Sequence, residues 1–196
     1  MRKEIIGLTG VIGSGKNYRA EQYEAQGYKH LSFADGVRNV AWETLRWKPR
    51  NKKEYEIFKR STISTTLFFS QESNGRVDAN PEKSQDITGR DYLILVGQRF
   101  KTIFGEDIWI KLVLNEIYNS NHKKFVISDC RFGAELFHLY CGYYLKVQHC
   151  DYRSDRYEIR EDERSENLSI AICKLGFKDG DFVPMEEWMK LFKEGY

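Results

Sequence analysis

The sequence predicts an α/β fold of three layers, with a mostly parallel central sheet and helices on both faces. Short apolar runs at residues 4–9, 125–129 and 143–147 are typical of strands, and the run at 125–129 has the composition of a strand buried on both faces. Segments with apolar residues at helical spacing separate these runs. Strands that alternate with helices of moderate length indicate βαβ units, which build parallel sheets.

Periodicity and turn residues define the individual elements. The expected strands lie at residues 4–9, 28–33, 125–129 and 143–147. The expected helices lie at residues 16–26, 35–47, 51–60, 91–100, 108–120, 133–140 and 184–196. Asp35 is placed to cap the second helix, and Pro49 ends it. Residues 61–88 are rich in Ser, Thr, Asn and Gln, so a polar insertion on the surface is expected there.

Composition limits the classes of protein. The chain has 196 residues, which suits one domain. Its 31% charged and 41% hydrophobic residues exclude a disordered or membrane-spanning chain, and a cytoplasmic location is expected. The formal net charge of +2 is close to neutral, so neither a nucleic-acid partner nor a membrane partner is expected. The four cysteines lack C-x-x-C spacing, which argues against a zinc site or redox pair.

A glycine loop carries the first functional signal. Residues 7–17 read GLTGVIGSGKN, where Gly10, Gly15 and Lys16 satisfy G-x-x-x-x-G-K between an expected strand and an expected helix. Such a loop cradles phosphates with backbone N–H groups and the positive helix end, and its lysine bridges the β- and γ-phosphates. The expected nucleotide-binding residues are Gly10, Val11, Ile12, Gly13, Ser14, Gly15, Lys16, Asn17 and Tyr18. The alternative is an ordinary strand-to-helix turn that contains GSGK.

Asn17 stands where the motif commonly has the Ser or Thr that holds magnesium. The side-chain carbonyl of Asn17, the carboxylate of Asp129 or bridging waters could hold the ion instead. This departure weakens the metal site and leaves phosphate binding intact. It also keeps open a nucleotide-binding protein that transfers no phosphate, because cradling and phosphoryl transfer are separable.

Four stretches resemble a known family. They read GVIGSGK, LSFADGVRNVAWETL, TGRDYLILVGQRFKTIFGEDIWIKLVL and FVISDCRFGAEL, within residues 7–136. Together they resemble the bacteriophage deoxynucleoside monophosphate kinases, relatives of adenylate and guanylate kinases. The family often has Asp-Thr where this chain has Asn17 and Tyr18, and an H-x-S-E-like stretch where it has DERSE.

The resemblance implies a P-loop kinase fold as one domain over residues 1–196, with the insertion at 61–88. It implies transfer of the ATP γ-phosphoryl group to a deoxynucleoside monophosphate, with ATP and Mg²⁺ as cofactors. A homodimer in the host cytoplasm is a reasonable further expectation. Alternative acceptors are a modified base in phage DNA or another small metabolite.

Arginines in the matching stretches suit the phosphates, since a guanidinium fork can hold two phosphate oxygens. Arg90 is the first candidate for the acceptor monophosphate, and Arg38 and Arg99 are further candidates. The predicted catalytic residues are Lys16, Arg90, Asp129 and Arg131. For each arginine the competing interpretation is a surface ion pair.

Several remaining candidates have a structural alternative. Asp129 follows a strand and could meet magnesium or the acceptor, or it could cap a helix. Asp35 is a similar candidate, and Asp107 and Trp109 could lie near the acceptor base, although Trp109 is favoured as core. At residues 151–166 the arginines 153, 156, 160 and 164 recur at helical spacing. They predict either a lid over the ATP phosphates, with Arg153 and Arg156 as ligands, or a solvated helix.

Overall fold

The computed structural model describes residues 2–11, 13–65, 85–151 and 168–195. Their contacts form two compact units, which we call the sheet unit (Met1–Gly36 and Asp107–Tyr196) and the inserted unit (Val37–Glu106). The sequence predicts a single domain with an insertion at residues 61–88. The division into two compact units does not test that prediction.

The described residues contain the following elements. The strands are β1 (Glu4–Thr9), β2 (Lys29–Leu31), β3 (Thr62–Thr65), β4 (Gln85–Thr88), β5 (Lys124–Ile127), β6 (Tyr144–His149) and β7 (Phe182–Val183). The helices are α1 (Lys16–Glu24), α2 (Ala34–Leu45), α3 (Lys52–Arg60), α4 (Gly89–Phe104), α5 (Ile108–Asn119), α6 (Gly133–Gly142), α7 (Leu168–Lys174) and α8 (Met185–Lys193). None of the helices in these ranges has the length and the apolar character that crossing a bilayer requires.

Among the described residues, the sheet unit contains five strands in the order β2-β5-β1-β6-β7. The pairs β2–β5, β5–β1 and β1–β6 are parallel, and only β7 runs antiparallel to its neighbour β6. The predicted α/β class with a mostly parallel sheet is therefore confirmed. The order places β1 in the centre, so that the loop after β1 lies between the chain segments that leave β5 and β6.

Helices cover both faces of this sheet because successive strand side chains point to opposite sides. Ile5 packs into a cluster with residues of α5, α6, α7 and α8, whereas its neighbour Ile6 packs with Ala20 of α1. Both isoleucines are buried, as are Phe125 and Val126 of β5. The continuous apolar runs in β1 and β5 follow from this burial on two sides.

The inserted unit has a separate core between α2, α3 and α4. Ala41, Trp42, Phe58, Tyr92 and Val96 form its buried centre. The ring of Trp42 meets that of Phe58 edge to face, with centroids 4.9 Å apart. Strands β3 and β4 form an antiparallel pair in which Ile63 and Ile87 are partners and pack against this core.

The structure extends the sequence-based element list at four places. Strands β3 and β4 lie at the two ends of the expected polar insertion, where single isoleucines between polar residues give the inward-facing side of a two-stranded ribbon. Helix α7 and the two-residue strand β7 were also not expected. Helix α1 ends at Glu24, earlier than predicted, and residues 66–84 lie outside the described residues.

Candidate nucleotide-binding site

The glycine loop connects β1 to α1 at the carboxyl edge of the sheet. Gly10, Gly13 and Gly15 all have positive φ angles, of 143°, 79° and 91°. At Gly10 an added Cβ would lie 2.2 Å from the carbonyl oxygen of Cys150, so no larger residue fits there without moving the backbone. At Gly15 the left-handed conformation sets the entry into α1. The predicted arrangement of strand, glycine loop and helix is present, and Ile12 lies outside the described residues.

The side chain of Lys16 folds back onto this loop. Its Nζ donates hydrogen bonds to the carbonyl oxygens of Gly10 and Val11, at 2.5 and 2.7 Å, and contacts the Oγ of Ser14 at 3.4 Å. Ser14 is fully buried and Val11 is 6% exposed. The loop thus holds the ammonium group against its own polar groups.

Burial and a neighbouring cation lower the pKa of Lys16. The pKa falls from 10.5 to about 8, mainly because burial disfavours the charged ammonium group and secondly because of the charge of Arg131. Arg131 follows β5 and is exposed. The structure therefore brings these two predicted catalytic cations within electrostatic range of one another.

Main-chain hydrogen bonds tie the loop to both neighbouring strands. The N–H of Cys150 donates to the carbonyl of Thr9, and the N–H of Cys130 donates to the carbonyl of Leu8. The segments that leave β5 and β6 therefore flank the end of β1. Ligands of open α/β sheets bind at this kind of position, outside the carboxyl ends of the strands where the strand order reverses.

Asp129 caps a helix that is distant from it in sequence. Its Oδ1 accepts from the N–H of Phe33 at 2.9 Å, and its Oδ2 accepts from the N–H of Ala34 at 3.0 Å and from the Oγ of Ser32 at 2.7 Å. Ala34 is the first residue of α2. These contacts agree with the alternative interpretation, in which Asp129 caps a helix. The capped helix is α2, however, and not the following α6. Three hydrogen bonds leave this carboxylate fewer lone pairs for a metal ion.

Asp35 lies in the first turn of α2 and is not its N-cap as predicted, because the helix already begins at Ala34. Its Oδ2 accepts from the N–H of Ser32 at 2.9 Å, and its own N–H donates to the carbonyl of Ser32. The pair resembles a capping box, in which the two residues satisfy backbone groups at the helix start.

Glu135 is a site neighbour that the sequence interpretation missed. It is 9% exposed, and its Oε2 accepts from the N–H groups of Arg131 and Phe132 at 2.7 and 3.0 Å. Burial, followed by the charge of Asp129, raises the pKa of Glu135 to about 8. The carboxyl group holds the main chain from which Arg131 projects. A glutamate three residues after a helix start is a recognisable signal for such a cap.

Asn17 and Tyr18 lie in the first turn of α1 with exposed side chains. In the described part of the chain, no group of three or more His, Cys, Asp or Glu side chains could hold a metal ion. A magnesium ion bound with a nucleotide takes only one or two protein ligands besides phosphate and water. The metal role of Asn17 and Asp129 therefore stays a prediction.

The three arginines predicted for the substrate lie on helices of the inserted unit. Arg90 is in the first turn of α4 and Arg99 follows nine residues later, and both are exposed. Nine residues correspond to two and a half helical turns, so the two arginines lie on opposite sides of α4. They do not form one phosphate clamp on that helix. Arg38 is half-buried on α2.

Asp107 and Trp109 stand at the start of α5. Asp107 forms an ion pair with Lys111 at 3.0 Å, and that hydrogen bond lowers the pKa of Asp107. Trp109 is 6% exposed, and its ring would lie 2.8 Å from a Cβ at Gly36, so it is core as favoured from the sequence. Arg153 and Arg156, together with the proposed lid, lie outside the described residues.

No protein-family model and no curated protein sequence matches this chain.

Proposed function

We propose that this protein is a P-loop kinase that transfers the γ-phosphoryl group of ATP to a deoxynucleoside monophosphate. The observation that carries the proposal is the loop itself. Three glycines with positive φ place Lys16 at the start of α1, just after the central strand and within electrostatic range of Arg131. Phosphate groups are the ligands that such a loop and helix terminus fit.

In the proposed site, different residues of the sheet unit contact different parts of the phosphate chain. The glycine loop and the start of α1 supply N–H groups and partial positive charge. Lys16 exchanges the carbonyl groups of Gly10 and Val11 for phosphate oxygens. Arg131, held at its backbone by Glu135, supplies a second cation for the charge that spreads over the transferred group. Mg²⁺ would neutralise charge between the phosphates, and Asn17 and Asp129 carry the oxygens that could hold it.

The acceptor site is proposed from the resemblance to deoxynucleoside monophosphate kinases. Arg90 is the first candidate ligand of the acceptor phosphate because it is exposed and forms no ion pair with a described residue. Arg38 and Arg99 follow as candidates. Asp35 and Trp109 already have structural partners, which weakens their assignment to the substrate. The kinase fold as one domain, the cytoplasmic location and the homodimer belong to the same proposal.

The decisive assay measures ADP release from ATP across a panel of deoxynucleoside monophosphates. We expect turnover with at least one of them, and near-complete loss in Lys16→Ala with the fold retained. Lys193→Ala, which removes an exposed lysine near the end of α8, serves as the matched control. Absence of turnover with every monophosphate ends the proposal. Transfer of labelled phosphate from ATP to DNA, with none to free nucleotides, would show that the acceptor is DNA and not a deoxynucleoside monophosphate.

A nucleotide-binding protein without transfer activity is the second candidate. The hydrogen bonds of Asp129 favour it, since they occupy a carboxylate that a magnesium site would use. Calorimetry with ATP and mass spectrometry of the nucleotides separate the two functions. Tight binding with unchanged ATP supports this candidate, whereas formation of ADP and a deoxynucleoside diphosphate supports the kinase.

A further inference from the structure

The segment at residues 46–60, RWKPRNKKEYEIFKR, is strongly basic. It holds seven Lys or Arg residues and two glutamates, a net charge of +5. Both glutamates are engaged within the segment: Glu54 pairs with Arg50 at 2.7 Å and Glu56 pairs with Lys59 at 2.7 Å. The other five cations are exposed and have no carboxylate partner among the described residues. These are Arg46, Lys48, Lys52, Lys53 and Arg60.

A cavity of about 290 Å³ opens on the same segment. It is lined by Trp47, Glu54, Ile57, Phe58 and Ser61. The Trp47 ring stacks on the Phe58 ring with centroids 5.4 Å apart and planes at 27°, yet Trp47 stays 44% exposed. Ile57 is 59% exposed. The cavity therefore has an aromatic wall that solvent reaches, and its size admits a planar heterocycle.

Helix geometry and chain order place four of the five cations beside this cavity. Lys53, Ile57 and Arg60 follow one another at i, i+4 and i+7, so both cations lie on the helix face that presents Ile57. Arg46 and Lys48 are the chain neighbours of Trp47. We call these four cations, together with Lys52 at the start of α3 and the cavity, the cationic surface.

The first turn of α3 adds to the positive potential. Lys52 and Lys53 occupy its first two positions, where the helix dipole favours anions and disfavours cations. Two exposed lysines at this end destabilise the isolated helix. A bound anion would relieve both the repulsion between the lysines and the unfavourable interaction with the dipole.

We propose that the cationic surface binds single-stranded nucleic acid, with backbone phosphates on the five cations and one base on Trp47. Exposed aromatic rings beside a row of cations are the combination by which proteins bind single strands, since every base presents a flat face for stacking. In a duplex these faces are covered by the neighbouring base pairs, so they are not accessible to Trp47. An anionic membrane would use the cations and leave the aromatic cavity without a role. This binding goes beyond the proposed kinase activity and does not depend on its acceptor.

The test uses the full chain and a fluorescein-labelled dT12 oligonucleotide, with anisotropy measured at several salt concentrations. Five phosphate contacts predict a slope of log K against log salt of about −3.5, at about 0.7 per contact for single strands. In Lys52→Glu/Lys53→Glu we expect a slope shallower by about 1.4 and weaker binding. Carboxylates suit the start of a helix, so this variant keeps α3 folded.

The matched control is Lys123→Glu/Lys124→Glu, an adjacent exposed pair at the start of β5 with the same change in charge. We expect it to bind dT12 nearly as well as the unchanged chain. Equal loss of binding in both pairs would show a general charge effect and overturn the proposal. Absence of dT12 binding at low salt would overturn it as well.

The stacking role of Trp47 is tested separately from charge. Trp47→Phe keeps a ring on Phe58, and we expect its affinity for dT12 to change by less than about twofold. Trp47→Leu keeps an apolar side chain without a ring, and we expect binding weaker by about tenfold. Thermal melts of both variants verify the fold. Equal affinity in the two variants, or binding to phosphatidylserine vesicles without binding to dT12, contradicts the assignment.

Discussion

Lys16 shows how burial sets the chemistry of a single residue. Its ammonium group lies against the carbonyls of Gly10 and Val11, and its pKa is lowered to about 8 because burial and the charge of Arg131 disfavour the cation. A polyphosphate bound at the loop would reverse this balance, since the anion stabilises the protonated form. Proton uptake should therefore accompany nucleotide binding in the proposed site.

This coupling predicts the pH dependence of ATP affinity. Below pH 8 the free protein is already protonated at Lys16, so that affinity is constant with respect to this group. Above pH 8 each bound ATP must also bind a proton, and affinity falls by about tenfold per pH unit until the raised pKa of the complex is reached. Calorimetry at pH 8.5 in buffers of different ionisation enthalpy measures the proton uptake. Uptake that persists unchanged in Lys16→Ala would assign it to another group.

At the scale of elements, two carboxylates tie the ends of helices to the sheet. Asp129, just after β5, satisfies N–H groups at the start of α2, and Glu135 satisfies N–H groups just before α6. Asp129 lies within electrostatic range of both Lys16 and Glu135, because its charge raises the pKa of each. The caps stabilise the elements from which the predicted phosphate ligands project.

Glu135 makes the stability of the sheet unit depend on pH. Its pKa is about 8 in the folded chain and near 4.5 when unfolded, so the folded state binds more protons between these values. The stability contributed by the protonated group is complete below about pH 4.5 and is lost as pH rises toward 8. In urea titrations from pH 5 to 8.5 we expect Glu135→Gln to gain at least about 1 kcal/mol relative to the unchanged chain. A constant difference across this range would show that Glu135 does not titrate there.

At the scale of the whole molecule, charge is unevenly distributed. The chain carries a net charge of +2, yet residues 46–60 alone carry +5. A net charge averages over these differences, which is why composition gave no indication of a polyanion partner. The inserted unit holds the cationic surface, whereas the glycine loop belongs to the sheet unit. Two anion-binding functions are thus proposed on two compact units with separate cores.

Ligand binding at the loop should stabilise the sheet unit. If ATP binds only the folded state, a concentration of 100 times Kd raises the free energy of unfolding by about 2.7 kcal/mol. Hydrogen exchange should then slow in β1 and at the start of α1, and Lys16→Ala should remove the effect. The dT12 oligonucleotide should instead slow exchange in α3. Protection by ATP in α3 but not in β1 would contradict the assigned loop.

Features that depend on near neighbours along the chain are predictable from the sequence. Apolar runs in β1 and β5, the helical spacing in α4 and α5, and the glycine loop before Lys16 are local patterns, and the structure shows each of them. Short strands were missed because two to four residues, as in β3, β4 and β7, carry too little periodicity.

Contacts between polar residues that are distant in sequence depend on how the elements pack. Asp129 contacts Phe33 and Ala34 from more than ninety positions away, and no local pattern could place its carboxylate at the start of α2. Glu135 became a site neighbour only because α6 packs against β1, so that its carboxyl group meets the segment that leaves β5. Side-chain partners across a fold depend on packing between distant segments, whereas secondary structure and loop conformation depend on a few consecutive residues.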